Sequence, residues 1–336
     1  MKFNFTEETT LAEYLDYWFV EFGCRSINEN TLDKYYDDIH NHILPAMGDI
    51  PLKDITLVEA QEFINELSEH GNLKTGGKLS VKSCINIRNL LSKAMEKAVD
   101  LELISKNPVR SVVVGITVKK TIGVLTPEEE RLLLQAVLRD DYVEYGFAIW
   151  LGLKFGLRSG EICALKWSDF DFRDRSVSIS RSVHRRKSSS PERKTYIAVG
   201  SPKTVNSNRT IPFTDATATV IMKEMDRRRR GDYYEKNRAD NYMRDFVFVS
   251  RAGGYADACT LNKKFKRILK EQGIEGDYHF HCLRHTFATR GIEKGVDVKT
   301  LSEILGHSSV QFTLDRYAHV LSAQKRKVME IMLSDE

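Results

Sequence analysis

The sequence predicts a mainly α protein with a small antiparallel β-sheet, built as a helical bundle followed by an α+β domain. Three observations lead there. Apolar residues recur at helical spacing in four segments before residue 107. The stretch 108–123, with Pro108, Gly115 and Gly123, then breaks that pattern. Between Val177 and Ile211 the apolar period drops to two, with helical spacing on either side.

The elements follow in order. Thr10-Leu11-Ala12-Glu13 reads as a capping box, and Leu11, Leu15, Trp18, Phe19 and Phe22 form the helical face behind it. A second helix runs from about Thr31 through Tyr35, Ile39 and Ile43, with Pro45 as its stop. Thr56-Leu57-Val58-Glu59 caps a third, which buries Ala60, Phe63, Ile64 and Leu67 and ends at Gly71. After a Lys/Gly loop, Ser80 starts a long fourth helix whose apolar set is Ile85, Leu90, Leu91, Ala94, Ala98 and Leu101. Four helices with short connections make a small bundle over residues 1–107. Residues 108–123 read as an extended interdomain linker.

The second domain, residues 124–336, opens on Thr126-Pro127-Glu128-Glu129, with proline at the first helical position. Residues 142–156 form a strongly apolar helix. Short strands then follow at Val177, Ile179 and Val183, at Tyr196, Ile197 and Val199, and at Thr210-Ile211. A basic hairpin tip at 184–194 is either a mobile surface loop or a finger that tracks phosphates. The basic runs Arg227 to Arg230 and Lys263 to Lys270 read as solvated helix faces.

With 336 residues, 41% apolar and 29% charged, the chain suits two ordinary cores. No apolar run reaches membrane length and Met1-Lys2-Phe3-Asn4-Phe5 leads into no signal-peptide core, so a cytoplasmic protein without membrane contact is expected. Five scattered cysteines without a C-x-x-C suggest buried free thiols. The net charge of +4 is uneven: residues 1–115 hold 12 Lys/Arg against 18 Asp/Glu, and the remainder 39 against 29. A nucleic-acid partner is thus met mainly by the second half. Lys74, Lys78, Lys82, Arg88, Lys93 and Lys97, opposed across 74–97 only by Glu96, are the basic exception in the first.

The chemistry gathers near the C-terminus. His281 and Arg284 lie three residues apart on a predicted helix, and His307 and Tyr317 follow. An Arg fork beside imidazoles suits a phosphate that must be held and protonated, and a phenol can serve as nucleophile. The pattern points to phosphoryl transfer without a metal. Zinc on His279, His281 and His285 is the competing reading, and it lacks a complete ligand set. Far upstream, Arg158 follows a glycine and starts a helix whose Ile162 and Leu165 share one face, a position from which it can join an anion site.

The stretches G-L-R-S-G-E (156–161), H-C-L-R-H-T-F-A-T (281–289), L-G-H (305–307) and D-R-Y-A-H (315–319), in that order, resemble the tyrosine recombinase (phage integrase) family. The integrases of phages and conjugative transposons are the most similar. Lys203, between Ser201-Pro202 and Ser207-Asn208-Arg209-Thr210, looks like the family's hairpin lysine. The resemblance implies a helical core-binding domain, a catalytic domain, and DNA strands cut and rejoined through a 3′-phosphotyrosine to integrate or excise a mobile element. It implies that Arg158 and Arg284 hold the phosphate, Tyr317 attacks, Lys203 protonates the leaving oxygen, and His281 and His307 assist. It implies no cofactor.

The partners it implies are double-stranded DNA, a homotetramer formed on that DNA from weakly associated or monomeric protein, and an accessory DNA-bending or directionality factor. With the catalytic motifs present, DNA contact becomes the reading for the basic helix, for Lys119 and Lys120 of the linker, and for Arg185, Arg186 and Lys187 of the hairpin. A type IB topoisomerase, a non-catalytic DNA-binding protein on the same fold and a metal-dependent nuclease are the alternatives. The tail after Tyr317 carries Leu321, Val328 and Met332 as one helical stripe, which packs either on its own domain or on a neighbouring protomer.

Overall fold

The structure is a computed structural model that describes residues 4–25, 29–116, 123–139, 145–187, 195–200, 208–318, 329 and 333. The chain divides into two compact units, Met1–Lys120 and Thr121–Glu336.

The first unit is helical. α1 (Leu11–Trp18) and α2 (Glu29–Asp38) each pass into a π-helical turn, Phe19–Gly23 and Ile39–Ile43, and a short α3 (Leu44–Met47) follows the second. α4 (Leu57–His70) and α5 (Val81–Asp100) complete the bundle. Thr10 and Thr56 both close full capping boxes, as their T-x-x-E spacing predicts. Pro45, expected as a stop, does not end its helix. The π-turn closes with the Leu44 N–H on the Ile39 carbonyl, so Pro45 enters the first turn of α3, where no N–H is needed. Leu15, Trp18, Ile43, Phe63, Leu91 and Ala94 fill the core. Val109 and Val112 join it, and the Gln61 amide pairs with the N–H and carbonyl of Val113.

The second unit begins with α6 (Pro127–Val137), whose N-cap Thr126 closes a third capping box, then α7 (Gly146–Phe155) and α8 (Ser159–Cys163). Among the described residues five strands follow: β1 (Phe170–Asp171), β2 (Ser176–Ile179), β3 (Ser182–Lys187), β4 (Thr195–Gly200) and β5 (Arg209–Pro212). They make two antiparallel sheets, β1-β2-β5 and β3-β4. β2 has a partner on each edge, pairing Val177 with Phe170 and with Ile211, and β3 pairs with β4 in a separate hairpin. The remaining helices are α9 (Asp215–Arg230), α10 (Tyr233–Lys236), α11 (Ala258–Glu271), α12 (His281–Glu293), α13 (Val298–Leu305) and α14 (residues 310–318).

α7 is buried on nearly every side and is the axis of this core. Gly152 lets α12 approach, since a Cβ there would stand 2.9 Å from Leu283 Cδ1. Two expectations are corrected. Arg228, within a run read as solvated, is fully buried. Its Nε bonds Glu224 (2.7 Å) and its guanidinium lies over Tyr233 and Phe248, so charge and planar surface are both matched. Cys24 and Cys259 are exposed, whereas Cys84, Cys163 and Cys282 are buried, and all five are free thiols. Cys84 shares the buried stripe of α5 with Ile87, Leu91, Ala94 and Ala98. Among the described residues no helix is long and apolar enough to cross a membrane.

Candidate active site

The site is assembled where α7, α8, α12, α13 and α14 end or begin. α7 stops at Gly156, which adopts a left-handed conformation (φ 61°). A Cβ there would lie 2.6 Å from Phe287 Cδ1, so glycine is required twice over, by conformation and by space. Two residues on, Arg158 is the N-cap of α8, and its backbone N–H donates to Glu161 Oε2 (2.9 Å).

Glu161 organises the guanidiniums. It is 2% exposed and accepts from Arg158 Nη1 (2.7 Å), Arg209 Nη1 (3.0 Å) and Arg209 Nη2 (2.9 Å). Burial alone would raise its carboxyl pKa, but the bonds and charge of Arg209, with Arg158, bring it down to about 2. The two arginines also receive the end of α13. Arg209 Nε donates to the Ile304 carbonyl (2.6 Å) and Arg158 Nη2 to the Gly306 carbonyl (2.8 Å). Carbonyls that a helix terminus leaves unsatisfied thereby hold both side chains in place.

Gly306 is left-handed (φ 64°) and turns the chain so that His307 follows directly. The His307 N–H bonds the Ser302 carbonyl (3.0 Å), its Nδ1 lies 2.7 Å from Thr313 Oγ1, and its ring meets Phe312 edge-on. Burial, then Arg284 and Arg158, push its pKa down to about 3.

α12 presents His281, Arg284 and His285 on one face. Asn262 Oδ1 accepts the Phe280 N–H (2.7 Å) at the start of that helix. Arg284 is 1% exposed; its Nη1 donates to the Gly156 carbonyl (2.9 Å), and its Nη2 has no hydrogen-bond partner among the described residues. Burial and the neighbouring Arg158 lower its pKa to about 9. An orphaned guanidinium nitrogen in a site rich in positive charge is a donor suited to an anion. His281 meets the His285 ring edge-on at 4.7 Å, and burial with Arg284 brings its pKa to about 4.

Tyr317, on α14, is 1% exposed and packs against Ala288, Ile292, Leu301 and Leu305. Its hydroxyl lies 2.9 Å from His285 Nδ1. Burial raises the phenol to about 12 against the opposing pull of Arg284 and Arg316, while burial and His281 lower His285 to about 3. Tyr317 is therefore a protonated donor and His285 a neutral acceptor.

Of the six residues singled out for chemistry, Arg158, His281, Arg284, His307 and Tyr317 come together in this unit, and Lys203 lies outside the described residues. Glu161, Arg209 and Thr313 were missed, and His285, weighed only as a zinc ligand, instead meets the Tyr317 hydroxyl. Glu161 carried a local signal, a carboxylate three residues after an N-cap, and Arg209 carried none. Among the described residues no three His, Cys, Asp or Glu side chains gather as they would to hold a metal.

The basic residues are spread more widely. Lys74 and Lys78 are exposed in the loop before α5, and Lys82 and Lys93 are exposed on α5, with Lys93 Nζ over the Tyr35 ring. Lys97 bonds Asp100, and Arg88 sits off that stripe with its Nε buried and without a hydrogen-bond partner among the described residues. On β3, Arg185 pairs with Asp257 (2.7 Å) and Arg186 is half-buried. The Lys187 side chain and residues Lys119 and Lys120 lie outside the described residues.

Comparison with known proteins bears on what this arrangement does. Residues 123–324 match the family model described as the phage integrase family, and residues 10–68 match its N-terminal SAM-like domain. A tyrosine recombinase XerC-like protein of Caldanaerobacter subterraneus is 29% identical over 97% of this chain and 83% of its own length. The ICEBs1 integrase of Bacillus subtilis is 28% identical over 88% and 75%. Among solved structures, the Tn1549 transposon integrase in complex with transposon right end DNA is similar (TM-score 0.75, 25% identity, 97% of this chain and 99% of that one). A lambda integrase tetramer bound to a Holliday junction is similar over 92% and 77%, with TM-score 0.65 and 25% identity.

Proposed function

The chain belongs to the phage integrase family, a tyrosine recombinase that cuts and rejoins DNA strands, and from that premise we propose which of its residues perform each step. Arg158 and Arg284 bind the two non-bridging oxygens of the scissile phosphate. Tyr317 Oη gives its proton to solvent and attacks phosphorus; the Oη–P bond forms and the bond to the 5′-oxygen breaks. That leaves a 3′-phosphotyrosyl enzyme and a 5′-hydroxyl whose proton comes from Lys203. His281 and His307 hydrogen-bond the phosphate. Attack by another strand's 5′-hydroxyl reverses the step, so no nucleotide or metal enters the balance.

The observation that carries this reading is the pair of arginines held by backbone carbonyls, Arg158 by Gly306 and Arg284 by Gly156, with Arg284 Nη2 unpartnered among the described residues. Donors fixed before the substrate arrives need no reorganisation as charge builds on phosphorus. An unperturbed phenol, with pKa about 10, is phenolate only about once in a thousand molecules at pH 7. Tyr317, higher still and bonded to His285, must leave that contact before it attacks.

The experiment is strand cleavage on a nicked suicide duplex with a 5′-bridging phosphorothiolate beside the ordinary phosphate. Lys203→Ala should slow the ordinary substrate strongly and the sulfur substrate little, because sulfur leaves without a proton. Equal slowing on both would remove Lys203 as the acid. We further propose a homotetramer on paired DNA sites in cytoplasm, with an accessory DNA-bending or directionality factor. Deleting the residues after Ser322 should weaken the paired-site complex on native gels while single-site binding persists.

A further inference from the structure

Two hydroxyls on the buried face of α14 stand one turn apart, Thr313 Oγ1 and Tyr317 Oη, and each meets the Nδ1 of a histidine. The Tyr317 contact belongs to the nucleophile. The Thr313 contact has no part in the chemistry described so far.

Thr313 is wholly buried, and its bond to His307 Nδ1 (2.7 Å) is the only hydrogen bond its hydroxyl makes among the described residues. A hydroxyl has one proton to give, and leaving it undonated in the interior costs about 1–3 kcal/mol. The proton therefore points to Nδ1. A neutral imidazole that accepts at Nδ1 carries its own proton on Nε2. Burial and the adjacent guanidiniums of Arg284 and Arg158 keep His307 neutral.

We propose that Thr313 is a positioning residue for strand cleavage, whose hydroxyl fixes His307 as the Nε2–H tautomer, the form that donates to a phosphate oxygen. The opposite tautomer would turn a lone pair toward an anion. The edge contact with Phe312 at 4.9 Å and the backbone bond to Ser302 hold the ring that Thr313 polarises. The role rests on the reading that His307 contacts the scissile phosphate.

Two measurements test it. Long-range proton–nitrogen correlation of the full chain, labelled with 15N-histidine, reports which ring nitrogen of His307 carries the proton. The Nε2–H form should dominate in the natural protein, give way to a mixture in Thr313→Val, and return in Thr313→Ser. An Nδ1–H form in the natural protein, or no change in Thr313→Val, overturns the assignment. The second measurement is the rate of covalent adduct formation on a nicked suicide duplex built from the element ends. Thr313→Val should lower the rate about tenfold, the worth of one hydrogen bond, and Thr313→Ser should recover most of it. In a His307→Ala background the valine should add less than about twofold. A further tenfold loss there would mean that Thr313 acts through the fold alone, which overturns the proposal. If His307→Ala alone cleaves at full rate, the reading of His307 fails instead, and with it the catalytic role of Thr313, while the tautomer result stands separately.

Discussion

Tyr317 Oη lies 2.9 Å from His285 Nδ1, inside an apolar pocket of Ala288, Ile292, Leu301 and Leu305. Burial there outweighs the opposing pull of Arg284 and Arg316 and keeps the phenol protonated. The contact therefore describes the proposed nucleophile at rest, with its proton donated to a histidine that follows Arg284 in the chain.

Replacing Tyr317 by Phe should abolish covalent adducts on nicked suicide duplexes and preserve duplex binding. The lost hydroxyl also strands a buried acceptor, so the variant should be less stable by about 1–2 kcal/mol. Adducts that persist in Tyr317→Phe would move the nucleophile elsewhere.

Glu161 links the site to acid stability. Its carboxyl sits at about 2 in the fold against an ordinary 4.5, a difference worth about 3 kcal/mol. Because the folded value is the lower one, that stability is present above pH 4.5 and is lost as pH falls toward 2. Glu161→Gln should lower stability at pH 7 by a few kcal/mol, since it leaves Arg209 buried without its anion. The variant should also lack this part of the acid transition in denaturant titrations at stepped pH. An acid transition identical to that of the natural protein would refute the assignment.

The site histidines act in the same pH direction by a different route. His281, His285 and His307 lie at about 4, 3 and 3 in the fold, below the ordinary 6.5. The unfolded chain then binds protons first, so stability falls as pH drops below 6.5. Each such histidine should cost on the order of 2 kcal/mol at pH 5. Melting curves between pH 7.5 and 5 check the sign, and a melting temperature that rises on acidification would contradict it.

DNA affinity should fall steeply with salt. If about 8 phosphates are neutralised, log K should drop with a slope near −7 against log salt. Reversing the charge of Lys82 and Lys93, both exposed on α5, should flatten that slope by about 2 units, and reversal at Glu7 and Glu8 should not. Indifference to the lysine changes would make that face of α5 a solvated one.

What the sequence disclosed depended on the reach of the interaction. The capping boxes at Thr10, Thr56 and Thr126 were legible because donor and acceptor lie three residues apart. The π-turn that admits Pro45 was not, because nothing in the spacing of Ile39 and Ile43 separates it from an ordinary turn. Arg209 reaches Glu161 only through the pairing of β5 with β2, a long-range register that local patterns do not carry. Arg228 read as one more surface cation because its i,i+4 partner Glu224 looks like any surface pair and the rings it stacks on, Tyr233 and Phe248, meet it only after folding. The motif residues Arg158, His281, Arg284, His307 and Tyr317 could be picked out as types of chemistry. The bonds that hold them required coordinates.

α14 carries Thr313 and Tyr317 on a single face, so it acts as a mechanical linkage between two imidazoles on separate elements. A turn or slide of that helix large enough to free the phenol from His285 also displaces the hydroxyl that bonds His307. In the proposed mechanism a movement of this helix thus gears the attacking group to the proton placement of the His307 ring.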